Sequence, residues 1–209
     1  MIRTVSVILL ALLPFSLAPG SPGVDVSIAD RIEEDWQIVI TTPGPSVDGP
    51  QITTSMNPGV DDSSTNMIFN VNYQDYPTFV SGGVQIKVWQ GKQVASSSTQ
   101  GSGQLQTSNE SITWTQRMSL SGGNLNFKIL SGASTTWPTF GQADTDLAAV
   151  APTTLASLVG YSPDTSVAKS AVSYAASYVG SMTLVRVRYY QGSTLLYTDD
   201  TARAVSLTQ

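Results

Sequence analysis

The sequence contains no cysteine and no histidine, and these two absences remove most of the familiar chemistry of exported proteins. Without Cys there is no disulfide, no thiol nucleophile, no zinc-thiolate site and no lipid-modified N-terminal cysteine, so stability has to come from packing. Without His, Ser-His-Asp and Cys-His mechanisms are excluded, as is every imidazole-ligated metal site. Charge is also scarce: Asp, Glu, Lys and Arg make up 12% of the chain, with a formal net charge of -5. An acidic chain lacks the basic footprint that phosphate backbones demand, which argues against nucleic acid as a main partner. No cofactor is implied. Beyond the N-terminus no apolar run is long enough for a membrane span.

What is present begins with an export signal. Arg3 supplies a positive start, Val5 to Leu17 is nearly all apolar, and Ser16-Leu17-Ala18 offers the small residues that a signal peptidase reads. The expectation is a signal peptide over 1–18, cleavage after Ala18 and a secreted or extracytoplasmic product. Pro19 to Asp25 is rich in Pro, Gly and Ser, and an acidic cluster follows at Glu33, Glu34 and Asp35. Residues 19–35 therefore read as a flexible acidic leader, with order starting near Trp36. The remainder, 36–209, is long enough for one sizeable core and reads as a single domain.

Within that remainder, short runs with period-two alternation are separated by Gly, Pro, Asn and Ser clusters. The pattern predicts strands near 36–40, 51–56, 66–73, 84–90, 93–99, 111–120, 124–130, 181–190, 194–198 and 203–207. Gly91-Lys92, Gly122-Gly123 and Gly192-Ser193 each separate two runs and supply the positive φ of tight hairpins. The fold class is all-β: a two-sheet antiparallel β-sandwich of jelly-roll type, with a short helix or irregular loop near 144–160. Between 144 and 179 two periods compete. Val167, Ala171, Tyr174, Ala175 and Tyr178 fall at helical spacing, whereas Val172 and Tyr174 around Ser173 fit a strand. We read strand over 170–175, and a short helix over 147–159 is the alternative to a loop, broken at Pro152.

Alternation also assigns faces. Ile112, Trp114, Met118 and Leu120 point inward, as do Leu125, Phe127 and Ile129, and Val185, Val187 and Tyr189. Thr113, Thr115 and Arg117 point outward, with Asn124, Asn126 and Lys128, and with Arg186, Arg188 and Tyr190. Trp89 breaks the rule: it follows Val84, Ile86 and Val88 but falls in the register of Gln85 and Lys87, so a large aromatic lands on a polar face. Such a surface stacks on sugar rings while its neighbours hydrogen-bond hydroxyls or carboxylates. The competing explanation is a covering loop or a bulge that flips the register. Five basic residues, Lys87, Arg117, Lys128, Arg186 and Arg188, share outward registers. A face carrying them together would be locally positive, unless they serve only to keep exposed strands soluble and unpaired.

The stretch from Ser111 to Met118 with Trp114, the turn Gly122-Gly123, and the strand Asn124-Leu125-Asn126-Phe127-Lys128-Ile129 ending at Gly132 together resemble laminin-G-like and concanavalin A-like jelly rolls. That resemblance covers about a tenth of the chain. It implies a two-sheet jelly roll whose relatives often bind carbohydrate on a concave face or calcium at a rim. The Glu-x-Asp-x-x-Glu strand of the jelly-roll glycosidases is missing.

Glycoside hydrolysis needs two carboxyl groups flanking the bond. After the acidic leader there is one Glu, Glu110, beside Asn109 in a glycosylation sequon with Ser111. The remaining carboxyl pairs, Asp61-Asp62, Asp144 with Asp146, and Asp199-Asp200, sit in or beside expected turns. The first two could lend calcium some oxygen ligands, without a calcium-loop spacing. The reading is a non-catalytic β-sandwich protein that binds an extracellular polysaccharide or glycoconjugate, with Trp89, Lys87, Gln85, Arg186, Arg188, Tyr190 and Arg117 as candidate ligand-binding residues. One alternative is a polysaccharide lyase built on the run Arg186, Arg188, Tyr189, Tyr190 and Gln191. The other is a structural or adhesive surface protein.

Overall fold

A computed structural model of the chain describes residues 25–59, 64–75, 78–99, 104–137, 139–141 and 147–207. The expected signal segment, most of the Pro/Gly/Ser-rich stretch after it, and the Asp61-Asp62 and Asp144/Asp146 pairs lie outside the described residues.

The strands are β1 Arg31–Ile40, β2 Gln51–Met56, β3 Thr65–Val71, β4 Gln74–Asp75, β5 Thr78–Phe79, β6 Val84–Gln90, β7 Gln93–Thr99, β8 Glu110–Ser121, β9 Asn124–Ser134, β10 Thr139–Phe140, β11 Ala148–Pro152, β12 Ala171–Ser173, β13 Val179–Gln191, β14 Thr194–Asp199 and β15 Arg203–Ala204. One short helix, α1, spans Pro163–Ala168, and a 3-10 turn spans Ala176–Tyr178. Two sheets carry the fold. In the larger, the order is β10-β9-β8-β1-β13-β14, with β11 also on β9 and β15 also on β13; in the smaller it is β12-β2-β3-β6-β7. The pairings are antiparallel. This is an all-β sandwich of two antiparallel sheets, compatible with a jelly-roll-like arrangement.

One apolar cluster joins the inward faces of both sheets. Trp36 of β1 stacks on Trp114 of β8 with ring centroids 6.3 Å apart, and Phe69 of β3 meets Trp114 from the opposite sheet at 5.1 Å. All three are at most 2% exposed. Each buried side chain of this size stabilises the fold by roughly 2–3 kcal/mol, and with no disulfide available this interlayer packing is what holds the sheets together.

The three expected hairpins are present. Gly122 and Gly123 take φ of 57° and 73° between β8 and β9, and Gly192 takes 56° between β13 and β14. A Cβ at these positions would meet nothing within 4 Å, so the demand for glycine is conformational rather than steric.

Four expectations require correction. First, the acidic cluster does not belong to a flexible leader: β1 starts at Arg31, and Ile32, Glu34, Trp36 and Ile38 alternate inward at 0–1% exposure. A carboxylate in an inward register disguised the strand. Second, 147–159 is not a helix. Leu147, Ala149 and Ala151 are buried while Val150 is exposed, and β11 pairs with Asn124 to Lys128 of β9. The helix forms later, at α1, where Ser162 caps the first turn and Pro163 occupies its start. Third, Val185 does not point inward. The register of β13 against β1 slips between Asp35 and Trp36, which pair with Arg186 and Leu184, so Val185 is the extra residue of a bulge and is 38% exposed. Leu184 takes its place in the core. Fourth, the terminal strand expected over 203–207 shortens to Arg203–Ala204. Of the expected strand over 170–175, residues 171–173 form β12; Tyr174 and Ala175 both turn to positive φ and end it.

Candidate ligand-binding site

The candidate residues divide between the two outer faces of the sandwich. Trp89, Lys87 and Gln85 lie on β6 in the smaller sheet, whereas Arg117 lies on β8 and Arg186, Arg188 and Tyr190 lie on β13 in the larger. Because the sheets pack through their inward sides, the outward residues of one face away from those of the other. Trp89 therefore has neither Arg186, Arg188 nor Tyr190 as a neighbour.

On the larger sheet, cross-strand register sets Lys128, Arg117, Glu33 and Arg188 in one row across β9, β8, β1 and β13. Four of the five outward basic residues, Lys128, Arg117, Arg186 and Arg188, share this sheet, while Lys87 lies on the other. Strand β1, however, inserts Glu33 and Asp35 into its middle. Arg117 reaches Glu33 at 2.7 Å, Arg188 reaches Glu33 at 3.2 Å and Asp35 at 2.8 Å, and the Thr115 hydroxyl donates to Asp35 at 2.7 Å. Tyr190 donates to Glu33 at 3.3 Å, and the Arg31 guanidinium sits 3.9 Å above the Tyr190 ring. Arg186 pairs with Asp200. The face is thus a ladder of compensated charge, its forks already committed to carboxylates of the same chain. The cavity beside it, about 400 Å³, is lined by Asp35, Gln37, Thr113, Thr115, Val185 and Arg188 among others.

On the smaller sheet the geometry is different. Outward positions of adjacent strands align as Thr53, Asn70 and Gln85, then Ser55, Ile68 and Lys87, then Asn66 and Trp89. Trp89 is 39% exposed, against 1% for Trp36 and 2% for Trp114. It lines a pocket of about 430 Å³ with Thr53, Ser55, Ser64, Asn66, Ile68, Gly91 and Lys169. An aromatic face, one aliphatic side chain and a set of hydroxyl and amide groups thus converge on one concavity. Gln85 belongs to the same face but is buried at 3% exposure, and Lys87 lies in the row beside Ile68.

Local chemistry fixes the rim. Lys169 follows α1 directly and closes it, donating its backbone N–H to Thr165 and Val167 carbonyls. The next residue, Ser170, anchors that corner to the sheet: its hydroxyl accepts the Ser55 N–H at 3.1 Å and donates to the Ser166 carbonyl at 2.7 Å. The Lys169 ammonium then donates to Asn66 Oδ1 at 3.0 Å. On the far side, Gly91 at φ 69° turns β6 into β7 just past Trp89. Reading the sequence alone missed Lys169, Asn66, Thr53, Ser55 and Ile68. Outward registers on β2 and β3 carried the signal for the last four. Lys169 had none, since it reaches the pocket from a separate element.

Inside the sandwich lies a polar group that alternation did not anticipate. Glu34, fully buried, accepts hydrogen bonds from Trp36 Nε1 at 2.8 Å, from Gln116 Nε2 and from the Tyr161 hydroxyl. Gln116 in turn accepts from Thr54 of the opposite sheet at 2.8 Å. Burial pushes the Glu34 carboxyl above the usual carboxylate range, against the pull of those donors. Burial likewise pushes the Tyr161 phenol well up, helped by the neighbouring Glu34 charge. Glu110 is also buried, accepting from the Ser134 hydroxyl at 2.6 Å and the Gln106 N–H at 3.1 Å. Both glutamates serve the interior rather than an open cleft.

Among the described residues no group of three or more acidic side chains is placed to hold a metal ion, and no helix is long and apolar enough to cross a membrane. No protein-family model matches the chain, and no curated protein matches it significantly.

Proposed function

We propose that this is an exported, non-catalytic β-sandwich protein of laminin-G-like or concanavalin A-like jelly-roll kind that binds a polysaccharide or glycoconjugate at the Trp89 pocket. The observation that carries the reading is the exposed indole of Trp89 in a concavity otherwise lined by Thr53, Ser55, Ser64, Asn66, Ile68, Gly91 and Lys169. A pyranose presents an apolar C–H face and a rim of hydroxyls. The indole covers the first, and the Asn, Ser and Thr groups exchange hydrogen bonds with the second. A large aromatic left open on a polar sheet face loses apolar burial in the free protein and regains it on stacking.

The test is retention of the mature protein on a panel of immobilised neutral and acidic glycans, read together with ultraviolet absorbance from new unsaturated sugar ends. Retention without absorbance, lost in Trp89→Ala, is the expected result. Retention unchanged in Trp89→Ala overturns the site. Absorbance that disappears in Tyr190→Phe replaces the binding function with lyase chemistry on the opposite face.

A further inference from the structure

At the Trp89 pocket the positive charge is balanced differently from that of the arginines. All five described arginines pair with carboxylates: Arg31 and Arg117 with Glu33, Arg186 with Asp200, Arg188 with Glu33 and Asp35, and Arg203 with Asp164 and Asp199. Lys169 does not. It is exposed, its ammonium is held by the neutral Asn66 amide, and among the described residues no Asp or Glu lines the pocket. In a chain of net charge -5, a positive group with no ion-pair partner among the described residues therefore stands at the rim of the concavity that also holds the exposed indole. An ammonium has three donor positions, and the Asn66 contact uses one.

Resting on the reading of this pocket as a glycan site, we infer that its ligand is an acidic sugar carrying one negative charge per ring, with the ring on Trp89 and the anionic group on Lys169 Nζ. Pairing to a single ammonium suits a monoanion, and a charge-assisted hydrogen bond from Lys169 adds to stacking while discriminating against the uncharged sugar. Asn66 orients the ammonium without neutralising it. The acid-reading role thus falls to Lys169 and not to Arg186 or Arg188, whose guanidinium groups are spent on Asp200, Glu33 and Asp35. A uronate carboxylate and a sugar sulfate ester share this chemistry, and the probes below separate them.

The experiment measures binding of the full mature protein to four oligosaccharides in two matched pairs: oligogalacturonate with its carboxyl-reduced form, and a sulfated galactan oligomer with its desulfated form. Tryptophan fluorescence and calorimetry serve as readouts. The acidic member of one pair should bind about tenfold or more tightly than its uncharged partner, as one charge-assisted hydrogen bond provides. Lys169→Gln should erase that preference, bringing the acidic member to the affinity of its uncharged partner, and added salt should weaken only the acidic member. Lys92→Gln, in the hairpin next to Gly91, serves as the control for nonspecific charge and should leave the preference intact. Equal binding of both members of each pair, or a preference that survives Lys169→Gln, overturns the inference while leaving the glycan site standing. Failure of all four to bind overturns the inference together with the reading beneath it.

Discussion

Tyr161 donates its hydroxyl hydrogen to Glu34 Oε1 in the interior of the sandwich, across 127 residues of sequence. Glu34 is 0% exposed and Tyr161 8%. With Trp36, Gln116 and Thr54 they form a hydrogen-bonded chain that runs from β1 through β8 to β2, tying one sheet to the other. Such a chain is favourable only when every member is satisfied. Glu34→Ala strands three buried donors, each costing about 1–3 kcal/mol, and should lower unfolding stability by about 3 kcal/mol or more. Glu34→Gln keeps one acceptor oxygen and the volume, and should cost less than half as much. Urea denaturation midpoints of the two variants check this; equal losses would mean that Glu34 acts only through its volume.

The same carboxyl gives stability a pH dependence of defined sign. Burial raises the folded-state pKa of Glu34 above its ordinary 4.5. Between the ordinary and the raised values the folded chain keeps a proton that the unfolded chain has released. The contribution is therefore fully present below about 4.5 and declines as pH rises through the folded value. Denaturation from about pH 4 to about pH 8 should show wild type losing stability relative to Glu34→Gln as pH increases. A gap that widens in favour of wild type with increasing pH would contradict a carboxyl raised by burial.

Tyrosine titration should separate the interior from the surface. Burial pushes the Tyr189 phenol up to about 12, with the nearby Asp199 charge acting in the same direction, and burial together with the Glu34 charge also pushes the Tyr161 phenol well up. Both raised values stabilise the fold below an unfolded pKa of about 10 and cease to do so as pH climbs through the folded values. Difference absorbance at alkaline pH should thus show Tyr161 and Tyr189 ionising only with unfolding, and Tyr161→Phe should remove one of these late steps. Smooth titration of all eight tyrosines before any loss of circular dichroism would refute this.

The charge ladder on the larger sheet predicts unequal arginines. Arg188 bridges Glu33 and Asp35 with side-chain exposure of 24%, and Glu33 itself is 8% exposed. Arg186 meets Asp200 in open solvent, at 45% and 66%. Arg188→Ala leaves two carboxylates crowded in mid-sheet and should cost about 1–2 kcal/mol, whereas Arg186→Ala should leave the midpoint unchanged. Thermal unfolding at low and high salt checks the pair, and an equal effect of both substitutions would remove the distinction.

These interactions also explain what could be read in the sequence. β2, β6 and β7 match their expected bounds, because each is an alternating run closed by turn residues. Trp89 is on the outward face that its register implied. What stayed hidden depends on partners remote in sequence. Glu33, Glu34 and Asp35 look like a solvated run until Arg117, Arg188, Gln116 and Tyr161 arrive from other strands and loops. The bulge at Val185 is defined only against Asp35 and Trp36 of β1, so alternation alone carried the inward register one residue too far. Lys169 reaches the pocket because Ser170 fastens α1 to β2, a contact no local pattern encodes.

Gly59 tests whether the pocket is preorganised by its surroundings. It takes φ 125°, and a Cβ there would stand 2.3 Å from the backbone of Gly160, so an L side chain meets both torsional strain and a main-chain clash. The Gly59 N–H donates to Asn57 Oδ1 at 2.9 Å, while Asn57 Nδ2 donates to the Thr65 carbonyl and to Asn66 Oδ1 at 3.3 Å. Asn57 therefore links this tight contact to Asn66, the residue that also holds Lys169. Gly59→Ala should lower stability by about 2 kcal/mol or more and, in the fraction that folds, loosen Asn66 at the pocket. Denaturation measures the first effect. Acrylamide quenching of tryptophan fluorescence measures the second, because Trp89 is the exposed indole beside Asn66 while Trp36 and Trp114 are buried. Quenching should increase in Gly59→Ala and should do so no longer once Trp89→Phe is added; an unchanged midpoint would mean that the Gly160 contact yields without cost.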